Sequence, residues 1–195
     1  MSTSTDRALR ADAQLNHDRL LDAAAAAFAR EGADASLKAI ARDAGVGIGT
    51  LYRRFPTRDD LIEATYRNET ERLGLSAADL LHDLAPLEAM RAWMEGFVDY
   101  MLTKHGMADA LPAILDAQDG LRAHSRTVLR DAIARLLEAS AADGSIRSQA
   151  PANDVMMALG GITLIARNEK QRELASRLID LLVAGLTAAA PESLA

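Results

Sequence analysis

The 195-residue sequence predicts an all-α protein of about nine helices, and three features lead there. No stretch shows the sustained alternation of β-branched and aromatic residues that a strand needs, and aromatic residues make up only 4% of the chain. Ala, Leu, Arg, Glu and Asp dominate, with apolar residues recurring at three- and four-residue steps. Glycines and prolines then cut the chain into helix-sized pieces.

The opening MSTSTDRALRADAQ is polar and has no apolar run behind its positive charges, so it does not read as a secretory signal, and residues 1–15 are expected to be a disordered lead-in. Leu20, Leu21, Ala24, Ala27 and Phe28 share one helical face, which predicts a helix from about Asn16 to Glu31 stopped by Gly32. Ser36 is placed to cap a short helix with the apolar stripe Leu37, Ile40, Ala41 and Ala44, ended by Gly45. After Val46-Gly47 a second short helix, Ile48 to Phe55, stops at Pro56. Thr57 with Asp60 three residues on forms a capping box that opens a long helix through Leu61, Ile62 and Thr65, with Gly74 as a candidate bend. Breaks at Pro86, Gly106, Pro112, Asp119-Gly120, Asp143-Gly144 and Pro151 divide the remainder into about five helices, the last from roughly Lys170 to Ala189.

Composition narrows the function. The chain has no cysteine, which removes disulfide scaffolds, thiolate zinc sites and cysteine nucleophiles, and fits the cytoplasm. The longest apolar run, Val155 to Ala166, is interrupted by Gly160-Gly161 and falls well short of the roughly 20 residues a bilayer requires, so no membrane partner is expected. Net charge is -6, yet the negative excess is uneven. Up to Arg72 there are 11 basic and 12 acidic residues, against 11 and 16 afterwards. From Ser36 to Arg58 the balance reverses: Lys38, Arg42, Arg53, Arg54 and Arg58 face Asp43 alone, a local charge of +4.

That basic window holds two short helices around a glycine turn, the outline of a helix-turn-helix. Such a motif braces one helix on the DNA backbone and lays the other in the major groove. Leu37, Ile40, Ala41, Val46, Leu51 and Phe55 are apolar anchors for the inner faces, leaving Gly47, Ile48, Gly49, Thr50, Arg53 and Arg54 outward. Small residues allow close approach, Thr50 offers a hydroxyl and a methyl to bases, and the two arginines can reach phosphates or a guanine edge. Tyr52 can donate to a phosphate, and Ser36, Leu37, Lys38 and Arg58 lie at helix starts where free N–H groups also favour one.

The run from Ile40 to Leu61, with Gly49-Thr50-Leu51-Tyr52 and Phe55-Pro56-Thr57-Arg58 at its centre and Phe28-Ala29-Arg30-Glu31-Gly32 before it, closely resembles the DNA-binding domain of TetR-family transcriptional regulators. The resemblance spans about Asn16 to Tyr66. It implies that Val46, Leu51 and Phe55 are core, that Tyr52 and Arg58 touch phosphates, and that Gly47, Ile48, Thr50 and Arg53 face the groove of a double-stranded operator. This sequence departs from the family in having Gly47 where Ser or Thr is common and Ile48 where a polar residue is frequent.

The resemblance further implies a helix-turn-helix domain over residues 16–72 and an effector-binding and dimerisation domain over 73–195. The last two helices, about Ala152 to Arg167 and Lys170 to Ala189, are strongly apolar and could pair with their copies in a homodimer. Gly160-Gly161 fits either a close helix approach there or a kink or intrachain contact. Trp93, Met94, Phe97, Tyr100, Met101, Leu111, Leu115 and Met157 are the candidate walls of a pocket for a small-molecule effector; an ordinary core face would have the same spacing. The function implied is a ligand-released repressor, with an activator of the same fold as the alternative.

A helical enzyme is the rival class, since Glu95 and Asp99 lie one turn apart. Against it, the four histidines lack ligand spacing and neither a phosphate-binding glycine loop nor a nucleophile elbow occurs, so no cofactor, metal or catalytic residue is expected. A helical interaction module that has lost DNA binding is disfavoured by the +4 window.

Overall fold

The computed structural model describes residues 3–187 except 119, 148 and 166–168. Among the described residues are nine helices and no strand: α1 (Thr3–Glu31), α2 (Leu37–Asp43), α3 (Ile48–Arg54), α4 (Arg58–Asp83), α5 (Pro86–Gly106), α6 (Leu111–Ala117), α7 (Leu121–Ala142), α8 (Ala152–Thr163) and α9 (Glu169–Thr187).

The local signals act as their chemistry requires. The Ser36 Oγ accepts from the Ala39 amide at 3.3 Å. At the start of α4 the box is reciprocal: Thr57 Oγ1 accepts from the Asp60 amide at 3.1 Å, and Asp60 Oδ2 accepts from the Thr57 amide at 2.9 Å. Asp thus does the work of the more usual Glu. Gly45, which ends α2, has φ 72°, a conformation a side chain would resist.

Two expectations are corrected. Residues 3–15 are helical and continue into α1, whereas a disordered lead-in was expected through residue 15. This stretch has no apolar stripe to betray it, but it contains no Gly or Pro, and Gln14 Nε2 donates to Asp18 Oδ1 at 2.8 Å one turn on. Gly74, the candidate bend, lies within α4, and a Cβ there would come within 2.4 Å of Val128 Cγ1, so the glycine admits the close approach of α7. Finally α8 ends at Thr163 and not near Arg167; Arg167 and Ala189, the expected ends of the last two helices, lie outside the described residues.

Contacts divide the chain into two compact units. The first is Met1–Glu69 together with Thr103–Asp119. Its core joins Leu20, Leu21, Ala24 and Phe28 of α1 to Ile40, Leu51, Phe55, Leu61 and Ile62, all buried. Residues 103–119 belong to it through side-chain and backbone contacts that local sequence does not announce. Lys104 Nζ sits 5.9 Å from the centre of the Tyr66 ring, Gln118 Nε2 donates to Glu63 Oε2 at 2.9 Å, and Gly106 approaches the Phe28 carbonyl so closely that a Cβ would lie 2.0 Å from its oxygen. The expected boundary at residue 72 had kept this segment in the second domain.

The second unit is Thr70–Leu102 together with Gly120–Ala195. Trp93, Met94, Phe97, Leu129, Ile133, Leu136, Val155, Leu159 and Ile179 are buried, with α8 packed on both α7 and α9. No described helix is long and apolar enough to cross a membrane.

Candidate nucleic-acid interface

α2, the turn 44–47 and α3 are held as a unit by buried side chains on one face. Ile40 and Leu51 are fully buried, Ala41, Ala44 and Phe55 nearly so, and the turn is closed by the Val46 amide on the Ala41 carbonyl at 2.9 Å. Val46, expected in the core, is half-buried. Gly47, Ile48, Gly49, Tyr52, Arg53 and Arg54 are exposed. With Leu51 and Phe55 inward, the 100° step of a helix sets Gly49 and Arg53 on the opposite side, while Ile48, three residues before Leu51, is exposed in the first turn of α3. Ile48 is 38% exposed and Tyr52 49%, an unusual amount of apolar surface for a face built around two arginines. Thr50 and Leu37 are half-buried, while Ser36 and Lys38 are exposed.

The outward arginines are arranged by specific partners. Arg53 folds along its own helix, with Nε donating to the Gly49 carbonyl at 3.1 Å and Nη2 to Thr50 Oγ1 at 3.2 Å. Arg54 Nε donates to His17 Nδ1 on α1 at 3.2 Å, and the His17 ring stacks on Phe55 with centroids 5.7 Å apart. Ala13, Asn16, His17 and Leu20 of α1 face Thr50, Arg53 and Arg54 across a cleft of about 270 Å³. His17 was missed by the sequence reading, although it precedes Leu20, Leu21 and Ala24 at helical spacing and so lies on the buried face of α1.

An exposed seven-residue helix with small residues, a Tyr hydroxyl and arginines outward, on a locally basic segment, is suited to a DNA groove. Comparison with known proteins decides the family. Residues 20–65 match the model of bacterial regulatory proteins of the TetR family, and residues 85–188, more than half of the chain, match the C-terminal domain model of SbtR-like transcriptional regulators. The chain belongs to the TetR family. It is similar to a TetR transcriptional regulator of Streptomyces coelicolor, at 48% identity over 89% of this chain and 99% of that one, with a TM-score of 0.83. A TetR regulator of Mycobacterium vanbaalenii is 29% identical over 92% and 99% of the two chains, with a TM-score of 0.74. As a TetR-family member the chain is a DNA-binding transcriptional regulator and not an enzyme.

Two other residues matter to the TetR reading of the site. Arg58 is half-buried, and its Nη1 donates to the carbonyls of Ala33 and Ala35, both at 2.7 Å. It therefore braces the loop that delivers Ser36 to the start of α2, a structural duty beside the phosphate contact that the resemblance implies. Arg42 pairs with Asp43 at 2.9 Å, which offsets part of the window's local charge.

The candidate effector residues fall in both units. Trp93, Met94, Phe97 and Tyr100 are buried together in the second unit: Trp93 Nε1 donates to the Leu73 carbonyl at 2.7 Å, the Trp93–Phe97 and Phe97–Tyr100 ring centroids are 5.8 and 5.9 Å apart, and the Tyr100 hydroxyl shares a 3.2 Å hydrogen bond with Thr70. Met101 is half-buried. Leu111 and Leu115 are buried in the first unit. Met157 is corrected: it is 60% exposed, because α8 turns Val155, Met156, Leu159 and Thr163 inward and Met157 falls on the opposite side. The enzyme rival loses its carboxylate pair, since Glu95 and Asp99 both bind Arg172, at 2.6 and 3.0 Å.

Proposed function

We propose that this regulator is a repressor that binds a near-palindromic operator as a homodimer and is released by a small-molecule effector. The observation that carries the reading is the outward face of α3, where Gly47, Ile48, Gly49, Tyr52, Arg53 and Arg54 stand free of the core. One such helix makes too few base contacts to select an operator, and two copies related by a two-fold axis read successive half-sites. Thr50 and Arg53 contact bases, Ile48 meets a thymine methyl, and Tyr52, Lys38, Arg54 and the α2 start at Ser36 and Leu37 hold phosphates.

Dimerisation through α8 and α9 is supported by the apolar side chains they leave outside. Met157 and Leu164, 60% and 62% exposed, flank Gly161 at helical spacing, and Leu181 on α9 is 69% exposed. Among the described residues, nothing beyond the backbone of α8 itself lies within 4 Å of a Cβ built on Gly160 or Gly161, which leaves room for a partner helix. For the effector, the wall is Trp93, Met94, Phe97, Tyr100 and Met101 on α5. The Trp93, Phe97 and Tyr100 rings are buried and neighbour one another in sequence along α5, with centroids 5.8 and 5.9 Å apart. A ligand that enters there must part them and thereby differs in affinity between two states of α5. A coupling of about 1–3 kcal/mol lowers operator affinity about 5–150-fold.

The test is selection of bound fragments from the source genome by the purified protein, in parallel with a Tyr52→Ala, Arg53→Ala double variant. Enrichment of a near-palindrome by the wild type alone is the expected result. Absence of enrichment even at low salt, where phosphate contacts are strongest, defeats the reading.

A further inference from the structure

Arg54 is the one described charge on α3 whose orientation is set by another helix. Its partner is 37 residues away in sequence, and the geometry of that partner is itself fixed: the His17 imidazole lies on Phe55, tilted 26° with centroids 5.7 Å apart, and presents Nδ1 to Arg54 Nε at 3.2 Å. We propose that His17 is a positioning residue for operator binding, holding the Arg54 guanidinium at the rim of the α1–α3 cleft in the orientation that meets a backbone phosphate. The inference rests on the DNA-binding reading given above and adds to it a residue outside the helix-turn-helix.

The chemistry of the contact is specific. A guanidinium N–H can only donate, so Nδ1 must carry a lone pair and the imidazole must be neutral with its proton on Nε2. The surroundings favour that form: partial burial is the largest cause holding His17 below its ordinary pKa, the Arg54 charge adds to it, and Asp18 beside it on α1 opposes. Arg53 lines the same cleft, so cations face His17 from α3 and a carboxylate from α1. An untethered arginine gives up much rotamer freedom when it docks on a phosphate. One already tethered loses less on binding, so the anchor appears as affinity without touching DNA. Because the same ring also packs on Phe55, the anchor registers the arginine to α1 as well as to its own helix.

The experiment uses the full chain and the operator fragment that the wild type recovers, with dissociation constants measured at one fixed salt concentration for wild type, H17A, H17F, H17N, R54A and H17A/R54A. H17F keeps a ring on Phe55 but has no acceptor, whereas the Oδ1 of Asn takes the place of Nδ1. H17A and H17F are expected to bind about 3–10-fold more weakly, H17N to recover most of that loss, and H17A to add nothing in the R54A background. Melting curves for each variant separate affinity from folding, and if H17A does not fold, H17F against H17N decides. Binding by H17F as tight as wild type, H17N as weak as H17F, or an undiminished H17A loss in the R54A background overturns the proposal. Recovery of no fragment by the wild type is a different result: it removes the DNA-binding reading, and the proposal with it.

Discussion

Arg172 on α9 grips Glu95 on α5, with Nη1 2.6 Å from Oε2 and Nη2 3.3 Å from the Glu95 carbonyl. The same guanidinium reaches Asp99 at 3.0 Å, and Ser176, one turn along α9, donates to Glu95 Oε2 at 3.1 Å. Arg91 completes the network by bonding Asp180 at 2.7 Å. The Arg172 and Glu95 side chains are only 28% and 21% exposed, so this is more than a solvated surface pair. Arg172→Ala is therefore expected to lower the unfolding free energy by about 1–3 kcal/mol, read as an earlier urea midpoint. A midpoint equal to that of the wild type would show that the network contributes nothing.

The contrast between local and tertiary information explains what was legible beforehand. The Ser36 cap, the Thr57–Asp60 box and the left-handed Gly45 are each written within four residues of sequence, and each is found as expected. Gly49 and Arg53 on the outward face of α3 follow from periodicity once Leu51 and Phe55 are taken as inward, whereas Ile48, three residues before Leu51, is exposed against that period. Other features have no local signature. The carbonyls that Arg58 braces lie 23 and 25 residues back, and the seat of Gly106 on Phe28 spans most of the first unit. Met157 was misassigned because a helix rich in apolar residues on several sides does not reveal which side is inward; α8 chose Val155 and Leu159. The start of α1 was hidden for the opposite reason, being helical without an apolar stripe.

Two cations of the interface are expected to behave differently on DNA. Lys38 is exposed at the start of the bracing helix and is expected to meet a phosphate, so Lys38→Ala should weaken binding to all sequences alike and reduce the salt slope by about one. Arg53, carried over Gly49 and Thr50 on the outer face of α3, is expected to read a base. Arg53→Ala costs about 1–3 kcal/mol on the operator and relaxes specificity at one position. Titrations of both variants against operator and scrambled duplexes at several salt concentrations check the pair; a sequence-selective loss for Lys38→Ala, or a uniform one for Arg53→Ala, would reverse the two roles.

The His17 contact also makes stability depend on pH in a definite direction. Its pKa in the folded chain lies below the ordinary 6.5, first because burial disfavours the imidazolium and next because Arg54 repels it. As pH falls, the unfolded chain takes up this proton before the folded one, so unfolding binds a proton and stability declines. The stability associated with His17 is full above about pH 6.5 and is lost through the interval down to the lowered folded-state value. Because the ring is only partly buried, the effect is modest and is best seen as a difference. The H17N variant removes this titration while His82, His105 and His124 remain in both proteins. Melting temperatures at pH 7.5, 6.5 and 5.5 are expected to fall faster for wild type than for H17N, whereas parallel profiles would mean that His17 titrates alike in the folded and unfolded chains.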